Sequence, residues 1–113
     1  MNRNLPKVSF IIPTYNGEET INDCLYSIVK QNYSKNLFEV LVIDGGSNDN
    51  TLKIAKKYNV KIIHNKFKIE EKGRPLGIMG SKGEIICFID QDNIFPNKNC
   101  LKSMVEPFKE KNI

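Results

Sequence analysis

Asp90 and Asp92 stand one residue apart at the end of the apolar stretch Glu84-Ile85-Ile86-Cys87-Phe88-Ile89-Asp90-Gln91-Asp92-Asn93. Buried-strand residues that run straight into paired carboxylates place negative charge at a sheet's edge. Such a pair suits a hard divalent cation, Mg²⁺ or Mn²⁺. These ions take oxygen ligands and usually enter a site together with the phosphates of a nucleotide. A polar loop after a strand is the plainer reading of the same residues. The choice between the two depends on which elements position the pair and what they bring beside it.

Val8-Ser9-Phe10-Ile11-Ile12 reads as a buried strand, followed by the turn-prone Pro13-Thr14-Tyr15-Asn16-Gly17. Ile21, Cys24, Leu25, Ile28 and Val29 recur at steps of three and four, so the spacing predicts a helix to about Gln31. Phe38 to Ile43 forms a second strand, ending in Asp44-Gly45-Gly46-Ser47. Leu52, Ala55 and Tyr58 face a second helix inward, with Ser47 or Asp49 able to cap its start. Val60 to His64 is a third strand. The polar stretch from Asn65 to Gly73 has no period and reads as a surface loop. A short helix is expected after Arg74-Pro75, because proline is tolerated in a first helical turn. Glu84 to Ile89 is the fourth strand. Leu101, Met104, Val105 and Phe108 line a last helix from near Asn97, with Pro107 expected to perturb its end.

Apolar strands alternating with helices imply an α/β fold, a mostly parallel sheet of about four strands covered by helices on both faces. Ligands bind such sheets beyond the carboxyl ends of the strands, where the strand order reverses. Three strand ends carry suitable residues: Pro13 to Gly17, Asp44 to Ser47, and Asp90 to Asn93.

The chain has 113 residues, 40% of them hydrophobic and 27% charged, which fits one soluble domain, 1–113, with one core. No apolar run approaches the ~20 residues of a membrane span. Met1 to Lys7 lacks the apolar core and cleavage site of a signal peptide, so a cytoplasmic location is expected. Cys24, Cys87 and Cys100 are odd in number and lie among apolar residues, as buried free thiols do. The net charge of +4 comes largely from scattered lysines, Lys53, Lys56, Lys57, Lys61, Lys66, Lys68 and Lys72 among them. That spread fits solvated helix faces. It also allows peripheral contact with an anionic membrane surface, but shows no interleaving of basic and aromatic residues for nucleic acid.

No Gly-x-x-x-x-Gly-Lys-Ser/Thr phosphate loop is present, and no Gly-x-Gly-x-x-Gly follows the first strand, which disfavours phosphate-loop kinases and dinucleotide dehydrogenases. Gly73, Gly77, Gly80 and Gly83 fit helix packing and a turn better than a nucleotide loop. Four segments together resemble the family 2 glycosyltransferases of the GT-A fold, a three-layer sandwich, from about Lys7 to the last helix. Val8 to Asn16 is similar to the family's first strand and nucleotide loop. Val42-Ile43-Asp44-Gly45-Gly46-Ser47-Asn48-Asp49-Asn50-Thr51 is similar to its second. Gly73-Arg74-Pro75-Leu76-Gly77 with Ser81-Lys82-Gly83-Glu84 resembles its Ala-Arg-Asn-x-Gly segment, and Asp90-Gln91-Asp92 falls at its metal-binding Asp-x-Asp.

The resemblance implies a nucleotide-diphosphate-sugar donor, often a uridine nucleotide. Pro13, Thr14 and Tyr15 would surround the base, Asp44 would lie near base or ribose, and Arg74 near the nucleotide. Asp90 would face the ribose or donor sugar, and Asp92 would hold Mg²⁺ or Mn²⁺ across the two phosphates. A cation there neutralises charge on the departing nucleoside diphosphate. Each role has a plainer counterpart: Tyr15 covering a sheet edge, Arg74 in a surface ion pair, Asp44 and Asp90 as helix caps. Two positions depart from the family pattern, Pro75 for its asparagine and Gly45 for its frequent second aspartate, leaving base selectivity open.

In this family the general base for the acceptor hydroxyl comes from beyond the fourth strand, and neither Glu106 nor Glu110 on the last helix is assigned that role. The expectation is a truncated donor-binding half, its own activity absent or dependent on another polypeptide, with no catalytic residue assigned. Ile85, Ile86, Phe88 and Ile89 would then lie along an open apolar edge that invites self-association or a partner chain. Sugar and acceptor are not legible. A nucleotide-binding module without turnover, regulatory or vestigial, is the alternative reading. A phosphoacceptor receiver domain fits poorly, because its paired acids should follow the first strand and its phosphorylated aspartate the third, where this chain has Pro13-Thr14-Tyr15 and His64-Asn65.

Overall fold

The computed structural model describes residues 5–67 and 70–111, with side chains for all of these except 70, 71 and 109–111. Residues 1–4, Lys68 and the Glu110 side chain, which the sequence reading touched, lie outside what is described. Four parallel strands, β1 (Val8–Thr14), β2 (Phe38–Asp44), β3 (Lys61–His64) and β4 (Ile85–Phe88), form one sheet in the order β3-β2-β1-β4. The helices are α1 (Ile21–Val29), α2 (Thr51–Ala55), α3 (Glu70–Gly80) and α4 (Cys100–Lys111), with a 3₁₀ turn at Lys35–Leu37. The α/β class and the mostly parallel sheet are as expected.

Period-two alternation along β1 and β2 divides the core. Val8, Phe10, Ile12, Val40 and Val42 pack with Ile21, Cys24, Leu25 and Ile28 of α1 and with Leu101 and Val105 of α4. Phe10 is fully buried and meets Phe38 and Phe95 edge to face, each at 6.0 Å between ring centroids. Ile11, Leu41 and Ile43 form the other face beneath α3, with Ile63, Leu76 and Ile86 at its margin.

Helix α3 corrects two expectations. It begins at Glu70, inside the stretch read as loop, and carries Pro75 in its interior rather than in its first turn. The glycines explain why it forms. Gly73, Gly77 and Gly80 lie on the sheet side of the helix, where a Cβ at Gly77 would sit 2.5 Å from Cγ2 of Ile11 and one at Gly80 2.8 Å from Cδ1 of Ile63. Residues that weaken an isolated helix let this one settle onto the strands.

Other boundaries moved less. Strand β1 runs through Pro13, which pairs in register with Ile43. The Ile11 carbonyl accepts from Ile89 and the Thr14 carbonyl from Gly45, so odd-numbered β1 residues bond toward β4. Pro13 therefore directs its missing donor to a place beyond the last β4 residue, where none is required. Neither Ser47 nor Asp49 is the cap residue of α2. Asn50 holds that position without a side-chain cap bond, while Asp49 Oδ1 takes the Thr51 N–H and hydroxyl. Tyr58 lies beyond the end of α2, partly buried against the core.

Helix α4 starts at Cys100, and its early Leu101 N–H is met by Oε1 of the buried Gln31. Pro107 lies within α4, which continues to Lys111. Leu101 and Val105 are buried as expected, whereas Met104 and Phe108 are exposed, because the packed face takes only the positions four apart. The three cysteines are free, but only Cys24 is buried, and Cys87 and Cys100 are half-buried. Among the described residues no helix is long and apolar enough to cross a membrane.

Candidate functional site

The order β3-β2-β1-β4 places the reversal of strand order between β1 and β4, where the loops leaving their carboxyl ends diverge. A cleft of about 390 Å³ opens there. Pro13, Thr14 and Tyr15 line it from the end of β1, Asp90 and Asp92 from the segment after β4, and Arg74 from α3. Six of the seven residues singled out in the sequence thus meet at one place. The seventh, Asp44, is next to the cleft but does not line it.

Asp44 is 1% exposed, and its carboxylate is taken up by its own surroundings. Oδ2 accepts from the N–H groups of Gly46 at 3.0 Å and Ser47 at 2.9 Å, and Oδ1 from the hydroxyls of Thr14 at 3.2 Å and Ser47 at 2.5 Å. Gly46 turns the chain at a φ of 95° that favours glycine. A carboxylate bonded in this way organises the β2 loop and fastens it to β1.

The loop after β1 is tied to the loop after β2 by a polar lattice. The Asn16 N–H donates to Ser47 Oγ and the Asn48 N–H to Asn16 Oδ1, each at 2.9 Å. The Gly17 N–H donates to Thr51 Oγ1 at 2.8 Å, and the Asn50 N–H to Glu18 Oε1 at 2.9 Å. Asn16 has a φ of 45°, a conformation that asparagine tolerates better than most residues.

The acidic segment has its own scaffold. The Asp90 N–H donates to Asn93 Oδ1 and the Asn93 N–H to the Asp90 carbonyl, closing a turn that presents both carboxylates to solvent. Phe95 anchors that turn in the core, and its N–H donates to Ser27 Oγ at 3.0 Å. Cys24 Sγ donates to the Asp90 carbonyl from below at 3.7 Å. Burial, aided by the negative charges of Asp92 and Asp90, pushes the Cys24 thiol up to about 12, so it stays protonated and unreactive there. The Arg74 guanidinium lies 5.4 Å from the ring centre of Phe88, a cation over an aromatic face on the edge strand.

Gly45, noted in the sequence as a departure from the family pattern, also lines the cleft, as do Asn65 and Gln91, which were not singled out. Asn65 is buried at the end of β3, and its N–H donates to the Asp44 carbonyl at 2.7 Å. Its position directly after His64 at a strand's carboxyl end was the available signal. Gln91 gave none, since it reads as a spacer between two acids.

Among the described residues no group of three or more His, Cys, Asp or Glu side chains could hold a metal ion by itself. The exposed Asp92 carboxylate accepts no hydrogen bond from the described residues, leaving its oxygens available as hard ligands. That donor set fits an Mg²⁺ or Mn²⁺ ion that draws most of its ligands from phosphates and water.

Several known glycosyltransferases resemble this chain. Glycosyltransferase AglE of Haloferax volcanii is 40% identical over 98 residues, covering 81% of this chain and 32% of AglE. The poly(ribitol-phosphate) beta-N-acetylglucosaminyltransferase TarS of Staphylococcus aureus is 38% identical over 102 residues, covering 85% of this chain and 18% of TarS. A crystal structure of TarS 1-349 in complex with UDP-GlcNAc matches with a TM-score of 0.83 and 34% identity, over 94% of this chain and 32% of that one. Glucosyl-3-phosphoglycerate synthase from Mycobacterium tuberculosis, in complex with Mn²⁺, UDP and phosphoglyceric acid, matches with a TM-score of 0.73 and 25% identity, over 91% and 39%. The chain thus spans a third or less of the length of AglE and TarS. The sequence pattern of the family described as glycosyl transferase family 2 runs through residues 9–113, on a GT-A fold with its cleft at the strand ends, and the chain belongs to that family.

Proposed function

We propose that the cleft between β1 and β4 binds a nucleoside-diphosphate sugar, a uridine nucleotide in class, as the donor for transfer of the sugar to an acceptor hydroxyl. The observation that carries this reading is the meeting of Pro13, Thr14, Tyr15, Arg74, Asp90 and Asp92 around one cleft at the strand reversal. Pro13 to Tyr15 would receive the base, Asp90 the ribose or sugar hydroxyls, and Arg74 would set a positive charge near the anionic nucleotide. Asp44 holds the β2 loop in place beside the base. Asp92 would hold Mg²⁺ or Mn²⁺. Such an ion, when bound, offsets negative charge on the departing diphosphate. Among the described residues, Asp90 and Asp92 are the carboxylates lining the cleft, and both serve the donor side in this reading. No general base is assigned.

The same reading makes β4 an interaction edge. Among the described residues no strand pairs with its outer side, and Phe88 is 43% exposed there. An open edge of this composition is expected to pair with a second copy or another chain.

Diffraction from crystals grown with UDP and Mn²⁺ tests the donor site. The expected result is a nucleotide in the cleft with an anomalous manganese peak against Asp92. A nucleotide bound elsewhere on the chain contradicts the proposal.

A further inference from the structure

We infer that Gln91, the residue between the two acids, is a positioning residue that locks the nucleotide half of the cleft to the metal half, so that cation and nucleotide bind cooperatively. This rests on the donor-site reading above. The Tyr15 N–H donates to Gln91 Oε1 at 3.0 Å, and Gln91 Nε2 donates to the Tyr15 carbonyl at 3.2 Å. The pair is reciprocal: one side-chain amide meets both backbone groups of Tyr15, which a parallel neighbour would meet with two different peptide groups. Odd-numbered β1 residues direct their backbone groups toward β4, which ends at Phe88, opposite Ile11. Tyr15 would otherwise face no strand there. The Gln91 amide stands in for the absent strand neighbour and carries the β1–β4 connection past the end of the sheet.

Only an amide of this length does so. Asparagine falls short by a methylene, and a carboxylate cannot donate to the Tyr15 carbonyl. The space is made by Gly17, where a Cβ would lie 2.4 Å from Gln91 Oε1. Tyr15 lines the base side of the cleft, and Asp92 is bonded directly to Gln91. With the latch closed, the β1 loop and the Asp92 turn move as one body, and a cation that orders one orders the other. With it open, each half pays its own ordering cost, and that difference is a coupling between ligands.

Two variants open the latch from opposite sides. Gln91→Met keeps the side chain's length and removes both hydrogen bonds. Gly17→Ala leaves Gln91 in the sequence but displaces its amide, and Gly17 has no positive φ that alanine would strain. Amide hydrogen exchange at Tyr15 is read in the ligand-free protein, UDP affinity by calorimetry with and without Mn²⁺, and folding by thermal melting. In both variants Tyr15 exchange is expected to quicken and the metal-dependent gain in UDP affinity to fall about tenfold, the worth of two net hydrogen bonds. If the wild type shows metal-enhanced binding and either folded variant retains all of it, the latch is overturned and the donor site stands. If the wild type binds no UDP with or without Mn²⁺, both fall together.

Discussion

Cys24 shows how far one side chain can be read from its surroundings. Its apolar company in the sequence foretold an inert thiol, and the fold adds that it sits under the acidic turn. Because the folded thiol holds its proton up to about 12, against an ordinary 9.0, the folded state binds the extra proton between those values. Stability should therefore fall as pH rises from 9.0 toward 12, with a slope of up to about 1.4 kcal/mol per pH unit from this group. Urea titrations across that range should show a shallower decline for Cys24→Ala than for wild type. Equal slopes would mean that the thiol titrates normally in the folded chain.

Legibility was uneven at this scale. Arg74 came only with the family resemblance, whereas Asp90 and Asp92 announced themselves by type and place. Asp44 did so too, yet its oxygens turn inward to Gly46, Ser47 and Thr14, since a carboxylate beside two free N–H groups satisfies its own loop first. Gln91 stayed hidden because its partner is the backbone of a residue far away in sequence, which no local pattern records.

Among the elements, strands were the easier reading. The unbroken apolar runs of β1 and β2 have little alternative to a buried parallel strand, and both came out near their expected bounds. Helix α3 was harder, because propensity and packing oppose each other in it. Gly73, Gly77, Gly80 and Pro75 argue against a helix in isolation, and contact with Ile11, Ile43 and Ile63 outweighs them. Gly77→Ala tests that balance. Alanine gains up to about 1 kcal/mol in helix propensity. Its Cβ would fall 2.5 Å from Cγ2 and 3.0 Å from Cδ1 of the fully buried Ile11, and overpacking of that kind costs about 1–3 kcal/mol. Chemical denaturation is expected to show a net loss of stability. A net gain would show that α3 can lift from the sheet at little cost.

At the scale of the whole molecule, topology does most to define the site. Three crossovers between parallel strands leave β1 central, with β2 on one side and β4 on the other, so the ends of β1 and β4 frame the cleft. The same order leaves β4 outermost. Light scattering is expected to show association rising with concentration, and Phe88→Lys should suppress it by charging the edge. A wild type that remains monomeric at high concentration would remove β4 as an interaction surface.

The central claim is that this cleft takes a nucleotide through a cation at Asp92, and calorimetric titration with UDP, with and without Mn²⁺, on wild type and Asp92→Ala tests it most directly. The expected result is binding by the wild type that Mn²⁺ strengthens, and loss of that strengthening in a folded Asp92→Ala. Absence of binding by folded wild type, or a metal effect that survives the substitution, would contradict it.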